Sequence, residues 1–298
     1  MDLKIGYIGL GIMGKPMARN IMKAGYEMVV HNRSRQSVKE LVEEGAIAAH
    51  SPAEVAGQVD VVFTNLPDSP DVEMVALGKD GIIEGAHEGL IYVDNSTIKP
   101  ASARAVGEKL AKKGIRMLDA PVSGGDVGAI EGTLTIMVGG PADALKTVQP
   151  VLEAMSKAIT HVGGLGDGQI AKAANQIMVA AQMVAMGELL VLAQKSGADP
   201  QKVVQAIRGG AAGCWTLDNK PQRLFAGNRG PGFKAYMQAK DLGIVIDTAR
   251  EYGIPLPSAA VHAQLFNAML EMGMRELDNS AVLGVIETLA GEKLKVKE

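Results

Sequence analysis

Short apolar runs alternate with helical patterns along the first half of this chain, and the alternation stops near residue 163. Ile5–Ile8, Met28–Val30, Val61–Thr64, Leu90–Val93 and Met117–Leu118 have the length and apolar content of buried strands. Helical segments lie between them, at Met13–Ala24, Gln36–Glu44 and Ala101–Lys113. Strands that are apolar throughout and separated by helices predict a parallel sheet with crossover helices on its faces. Thr133–Val138 predicts a further strand, followed by a helix near Ala142–Met155 and a short strand near Ile159–Val162. Beyond Gly163-Gly164-Leu165-Gly166-Asp167-Gly168 the pattern is helical from Ile170 to Lys195. Further helices are expected at about Pro200–Arg208, Thr216–Leu224, Tyr236–Tyr252, Ala259–Met272 and Ser280–Leu289, with no returning strand pattern. The expectation is an α/β domain over residues 1–163 and an all-α domain over 164–298, joined by a long helix.

Composition bounds what such a chain can do. Its 298 residues suffice for two domains, and 47% apolar with 21% charged residues excludes wholesale disorder. A net charge of −3 gives no general attraction to nucleic acid or an anionic membrane, so neither partner is expected. The lone Cys214 rules out an intrachain disulfide and a cysteine-cluster metal site. His31, His50, His87, His161 and His262 are scattered without a ligand spacing, and no metal is expected. Met1-Asp2-Leu3-Lys4 runs straight into strand-like sequence without the pattern of a targeting signal. The most apolar window, Ile177–Ala193, contains Gln182, Gly187 and Glu188, and it falls short of the roughly 20 apolar residues of a membrane span. A cytoplasmic location follows as the expectation.

Gly9-Leu10-Gly11-Ile12-Met13-Gly14 follows the first strand and opens a helix, the context in which GxGxxG carries meaning. Gly9 permits the turn, Gly11 admits a pyrophosphate against the backbone, and Gly14 lets helix and strand pack closely. The helix N-terminus supplies oriented N–H donors for the phosphates. This predicts a Rossmann-type dinucleotide site in which Gly9, Gly11, Ile12, Met13 and Gly14 contact the cofactor. After the second strand, where an NAD site usually carries an acid for the ribose 2′-hydroxyl, the chain reads His31-Asn32-Arg33-Ser34-Arg35. Arg33 can pair with a 2′-phosphate, and Asn32 and Ser34 can hydrogen-bond to it, which favours NADP while leaving NAD open.

Three further motifs follow in order: Asp119-Ala120-Pro121-Val122-Ser123-Gly124-Gly125, Gly166-Asp167-Gly168-Gln169-Ile170-Ala171-Lys172-Ala173-Ala174-Asn175-Gln176, and Lys240-Asp241-Leu242. With the glycine turn they resemble, across essentially the whole chain, the β-hydroxyacid dehydrogenases. The resemblance implies a small acid carrying an alcohol or aldehyde beyond its carboxylate. It implies that Lys172 is catalytic, protonating the incipient alkoxide in reduction or accepting the alcohol proton in oxidation. Desolvation in a closed cleft would bring a lysine toward the working pH. Asn175, one helical turn on, would orient the substrate oxygen and the lysine. Ser123, Gly124 and Gly125 would cradle the substrate carboxylate with a hydroxyl and unobstructed N–H groups. The same resemblance puts Leu66 and Pro67 along the cofactor ribose, Ser96 and Thr97 beside the nicotinamide, and Lys240 over that end of the cofactor.

Substrate choice stays open at the level of residues. Asn175-Gln176 and the stretch from Ala206 to Gly213 resemble the tartronate semialdehyde reductase branch, the favoured reading. Cys214-Trp215 resembles the 3-hydroxyisobutyrate branch, in which the tryptophan narrows the pocket; Trp215 could equally pack between helices. Succinic semialdehyde and glyoxylate are further alternatives. Imine reductases share this architecture but often replace the lysine that stands here as Lys172. A non-catalytic dinucleotide-sensing protein is the alternative of another class. The apolar helices Ile177–Ala193 and Ala259–Met272 also predict burial between subunits, as a homodimer or homotetramer.

Overall fold

The computed structural model describes residues 3–295, so Met1 and Asp2 of the opening segment lie outside the described residues. Strands β1 (Ile5–Ile8), β2 (Met28–His31), β3 (Ile47–Ala48), β4 (Val61–Thr64), β5 (Ile91–Asp94) and β6 (Arg116–Asp119) run parallel in the order β3-β2-β1-β4-β5-β6. This is the Rossmann order, in which the direction of winding reverses between β1 and β4 and ligands collect at the carboxyl ends of the strands. Crossovers are made by α1 (Gly14–Lys23), α2 (Arg35–Glu43), α3 (Pro52–Ala56), α4 (Ser69–Leu77), α5 (Ile82–Gly85) and α6 (Pro100–Ala111).

Beyond β6 the sheet departs from the expected parallel pattern. β7 (Val122–Ser123) is followed by α7 (Gly125–Glu131), and β8 (Leu134–Gly139) then returns antiparallel to both β6 and β7. α8 (Ala142–Glu153) leads to β9 (Ser156–Gly163), parallel to β8. The period of two in each strand sends alternate side chains to opposite faces. Tyr7 and Phe63 stack on one face, with ring centroids 6.0 Å apart, packed with Met17 and Ile21 of α1 and Val148 of α8. Ile8, Val62 and Tyr92 face the other side, against Val55 of α3 and Leu110 of α6.

The second unit is built from α9 (Asp167–Lys195) beyond Lys172, α10 (Pro200–Ile207), α11 (Trp215–Asn219), α12 (Pro221–Phe225), α13 (Ala235–Glu251), α14 (Pro257–Met269) and α15 (Leu283–Ala290). Met183, Leu190, Leu242, Phe266 and Leu283 are among its core residues. The helix expected over Thr216–Leu224 is two helices, because Pro221 has no N–H to continue the first and opens the second instead. Beyond α14 the segment Leu270–Met274 is kinked at Gly273, whose φ of +78° breaks the helical path, and a 3₁₀ turn, Asn279–Val282, introduces α15. Within α9 an 18-residue window is apolar enough, by length and composition, to cross a membrane, yet half of it is buried inside the protein. The two compact units divide inside α9, after Lys172.

Candidate active site

The glycine turn connects β1 to α1 under tight geometric limits. Gly9 has φ of +95°, and a Cβ there would stand 2.3 Å from the carbonyl oxygen of Asn65. A Cβ on Gly14 would stand 1.9 Å from the carbonyl oxygen of Gly9. At Gly11, by contrast, a Cβ would have no heavy atom within 4 Å. Met13 provides no side-chain cap for α1, whose first turn also contains no acidic residue. N–H groups without a side-chain cap at a helix start, beside open space at the middle glycine, fit the pyrophosphate of a dinucleotide.

Around the ribose end the predicted residues divide. Asn32 serves the chain itself: its Oδ1 accepts from the N–H of Leu10 at 3.0 Å and its Nδ2 donates to the carbonyl of Ser34 at 3.0 Å. Arg33 is 86% exposed and lies 3.9 Å from Asp71, a pairing that solvent screens strongly. Arg35 instead bonds back to the carbonyl of Ala49.

The loops at the strand ends are cross-linked. Asn65 donates to the carbonyl of Asn95, and Asn95 to that of Ala120. Ser96 donates its hydroxyl to Asp94 at 2.5 Å and accepts from the N–H of Leu66 at 2.8 Å. Asp94 also accepts from Thr64, which in turn lies 2.8 Å from the hydroxyl of Tyr92. Burial, with Asp94 nearby, raises the Tyr92 hydroxyl well above its ordinary value and keeps it protonated. Leu66 and Ser96 are therefore brought together, with Thr97 next in the chain, while Pro67 is exposed on the same loop as Leu66. The buried Oδ1 of Asn95 has no partner among the described residues, leaving an acceptor beside this loop.

Lys172 is buried, 6% exposed, and its ammonium donates to the carbonyl of Val122 at 2.8 Å. That carbonyl immediately precedes Ser123, so the lysine and the Ser123-Gly124-Gly125 turn share one place. Ser123 belongs to β7 rather than to a loop beyond a strand end, and Gly125 opens α7. Gly124 and Gly125 have φ of +141° and +68°, conformations glycine adopts without strain, and at Gly125 a Cβ would meet no heavy atom within 4 Å.

In the helical unit Asn175 donates to Gln176 at 2.7 Å, and Gln176 donates to Asp241 at 2.6 Å. The other Asp241 oxygen faces the Lys240 ammonium at 3.0 Å. Two motifs far apart in sequence thus form one polar chain. Trp215 is half exposed, with the Lys220 ammonium 5.7 Å from its ring centre.

Asp119 and Gln169 have roles that local sequence pattern does not mark. Asp119 accepts from the N–H groups of Gly166 and Gln169, and burial pushes its carboxyl up to about 6 despite those donors. Both residues lie inside the quoted motifs, but their bonds reach across 47 residues or more, beyond local pattern. Among the described residues no group of three or more His, Cys, Asp or Glu is placed to hold a metal ion.

Comparison with known proteins covers the chain from end to end. The family model for the NAD binding domain of 6-phosphogluconate dehydrogenase matches residues 4–163, and that for NAD-binding of NADP-dependent 3-hydroxyisobutyrate dehydrogenase matches 166–286. The chain is 40% identical to 2-hydroxy-3-oxopropionate reductase of Escherichia coli K12 over 98% of its own length and 100% of that protein. It is 37% identical to 2-(hydroxymethyl)glutarate dehydrogenase of Eubacterium barkeri over 97% of each. The structure of 3-hydroxyisobutyrate dehydrogenase from Mycobacterium tuberculosis, solved with L-serine, superposes with a TM-score of 0.88 at 32% identity, covering 96% of this chain and 99% of that one. A Rossmann strand order, a glycine turn fitted to a dinucleotide and full-length likeness to these enzymes make the chain a member of the β-hydroxyacid dehydrogenase family, an NAD(P)-dependent oxidoreductase.

Proposed function

We propose that this enzyme is an NADP-dependent reductase of a small semialdehyde carboxylate, with conversion of tartronate semialdehyde to glycerate favoured and the reverse oxidation available. The observation that carries the reading is the buried Lys172 ammonium, bonded to the carbonyl that precedes Ser123. When bound, the reduced dinucleotide would supply the hydride for the aldehyde carbon. Lys172 gives a proton to the oxygen that becomes the alcohol, and recovers one from solvent afterwards. Ser123 and the N–H groups of Gly124 and Gly125 hold the carboxylate. Asn175 orients the reacting oxygen, and Lys240, set by Asp241, serves the nicotinamide end. Gly9, Gly11, Ile12, Met13, Gly14, Leu66, Pro67, Ser96 and Thr97 would line the cofactor, and Arg33 would meet its 2′-phosphate. Likeness to the E. coli reductase supports the choice of substrate.

A second reading, a 3-hydroxyisobutyrate dehydrogenase, is favoured by one observation: the half-exposed Trp215, available to wall an apolar substituent. Initial rates with NADPH and NADH across tartronate, methylmalonate and succinic semialdehydes and glyoxylate separate the readings. The fastest turnover is expected with tartronate semialdehyde and NADPH. A preference for methylmalonate semialdehyde would select the second reading, and a preference for NADH would remove the role given to Arg33. Cofactor binding without turnover of any aldehyde would favour a sensor.

The assembly we propose is a homodimer or homotetramer working in the cytoplasm. Met178 and Leu192 are exposed on α9, at 57% and 70%, and association with a second copy would cover them. Light scattering at micromolar concentration tests this, and a monomer mass would contradict it.

A further inference from the structure

The first turns of α9 are tied to the sheet at three successive points spaced three residues apart. Gly166, just before the helix, and Gln169, in its first turn, donate their N–H groups to the two oxygens of Asp119 at 2.7 and 2.8 Å. The Gln169 side chain reaches the loop after β5, donating to the carbonyl of Ser96 at 2.8 Å and accepting from the N–H of Ile98 at 3.1 Å. Lys172, one turn further on, donates to the carbonyl of Val122. Asp119 and Gln169 are 0% and 1% exposed. The start of a helix leaves N–H groups without intrahelical partners, so a carboxyl group that accepts from two of them at once is an effective clamp.

The clamp is also sterically closed. A Cβ on Gly168 would stand 2.5 Å from the carbonyl oxygen of Asp119 and 2.7 Å from that of Met137. A Cβ on Gly139 would stand 2.5 Å from Asp119 Oδ1. The helix start can therefore neither slide toward the sheet nor turn about its axis while these contacts persist. Catalysis by a single proton donor is sensitive to such placement, since about 1 Å of displacement can cost 10²-fold in rate.

We propose that Asp119 and Gln169 are positioning residues for the reaction: together they set the height and rotation of the first two turns of α9. They thereby hold the Lys172 ammonium against Ser123 and the Ser96–Ile98 loop as one block. This inference rests on the reading of Lys172 as the proton donor. An anchor that served stability alone would lower the melting temperature and leave the turnover of folded enzyme untouched. An anchor that places the lysine lowers kcat while leaving cofactor affinity nearly intact.

The experiment compares the full-length wild type with Asp119→Asn, Gln169→Met, Lys172→Ala and the core variant Val148→Ala, whose side chain packs in the sheet core and makes none of these hydrogen bonds. Melting temperature, NADPH Kd by fluorescence, kcat at saturation and the isotope effect with 4-deuterated NADPH are measured on each. Asp119→Asn and Gln169→Met are expected to lose about tenfold or more in kcat, with NADPH Kd within about threefold of wild type and a larger isotope effect. Val148→Ala is expected to melt lower with kcat unchanged. If both anchor variants melt lower and keep wild-type kcat, as Val148→Ala does, the positioning role is wrong. Should Asp119→Asn fail to fold, Gln169→Met decides alone, because it removes only the side-chain bridge. Retention of turnover by Lys172→Ala would overturn the proton-donor reading, an outcome distinct from wild-type kcat in the anchor variants.

Discussion

Gln176 donates its side-chain amide to Asp241 across 2.6 Å, and the other oxygen of that carboxylate faces Lys240. One buried carboxylate therefore orients residues from both α9 and α13. Asp241→Asn replaces an acceptor-only group by one that must turn an NH₂ toward a donor. The expected result is a loss of about 1–3 kcal/mol in unfolding free energy, together with several-fold weaker NADPH binding as Lys240 loses its partner. Denaturant titration and cofactor fluorescence check the two effects.

Lys172→Ala removes the proposed proton donor and leaves the glycine turn intact. A fall of about 10²–10⁴-fold in kcat is expected, with NADPH affinity within about threefold of wild type. Single-turnover rates with the preferred aldehyde measure this directly.

Asp119 has a stability signature of its own. Burial raises its carboxyl from 3.8 to about 6, so the folded protein holds the proton more tightly than the unfolded chain. Its contribution is present in full below about pH 4 and is lost as the pH rises through about 6, a change of about 3 kcal/mol. The difference in unfolding free energy between wild type and Asp119→Asn isolates this group. Wild type is expected to lose ground to the variant between pH 4 and 7, and a difference independent of pH would contradict the assignment.

The exposed Arg33 predicts a split between cofactors. Arg33→Ala should raise KM for NADPH about tenfold, as expected for loss of a charge-assisted bond to phosphate, and leave KM for NADH within about twofold. Equal losses with both cofactors would place Arg33 elsewhere than at the 2′-phosphate.

Lys220 and Asp278 form a buried ion pair, with the ammonium 2.8 and 3.0 Å from the two oxygens. Burial alone would raise the Asp278 carboxyl, but Lys220, the Ser280 hydroxyl and the N–H of Gly232 hold it below the usual range. The stability this supplies is present at neutral pH and is lost only as the pH falls through the lowered value. Lys220→Met leaves that carboxylate without its counter-charge and should cost about 3–5 kcal/mol. Because Trp215 is the one tryptophan in the sequence and lies against Lys220, a shift in indole emission is expected at the same time.

The parts of the fold that were legible in sequence are those written in local periodicity. β1, the glycine turn and α1 stand where pattern placed them, as do β4 and the long α9, because each is specified by neighbours within one or two turns. β3 leaves no pattern in the sequence because it has only two residues and sits at the sheet edge, with Ile47 44% exposed. β7 is as short and takes its identity from pairing with β8, which no local pattern reveals. The same distinction runs through the site. Lys172, Ser123 and Lys240 were readable as motif residues, whereas the bonds made by Asp119, Gln169 and Asp241 depend on chain segments folded against one another. Asn32 shows the reverse case: it reads as a ligand for phosphate, and in the structure its side chain secures the turn at Leu10.

The crowding of Gly139 and Gly168 around Asp119 bears on how an enzyme of this design can diversify. A side chain at either glycine collides with backbone or with the carboxylate, and so disturbs the seat of the lysine before it can alter what the lysine meets. Variation there is filtered out as loss of turnover, whatever substrate is on offer. Changes at Trp215 and from Ala206 to Ala212 carry no such penalty, since those residues are largely solvent-exposed and a Cβ on Gly209 or Gly210 meets no crowded atom. New specificities within this lineage, whether arising naturally or by directed evolution, are therefore expected to accumulate in that exposed segment, while the base of α9 stays constant.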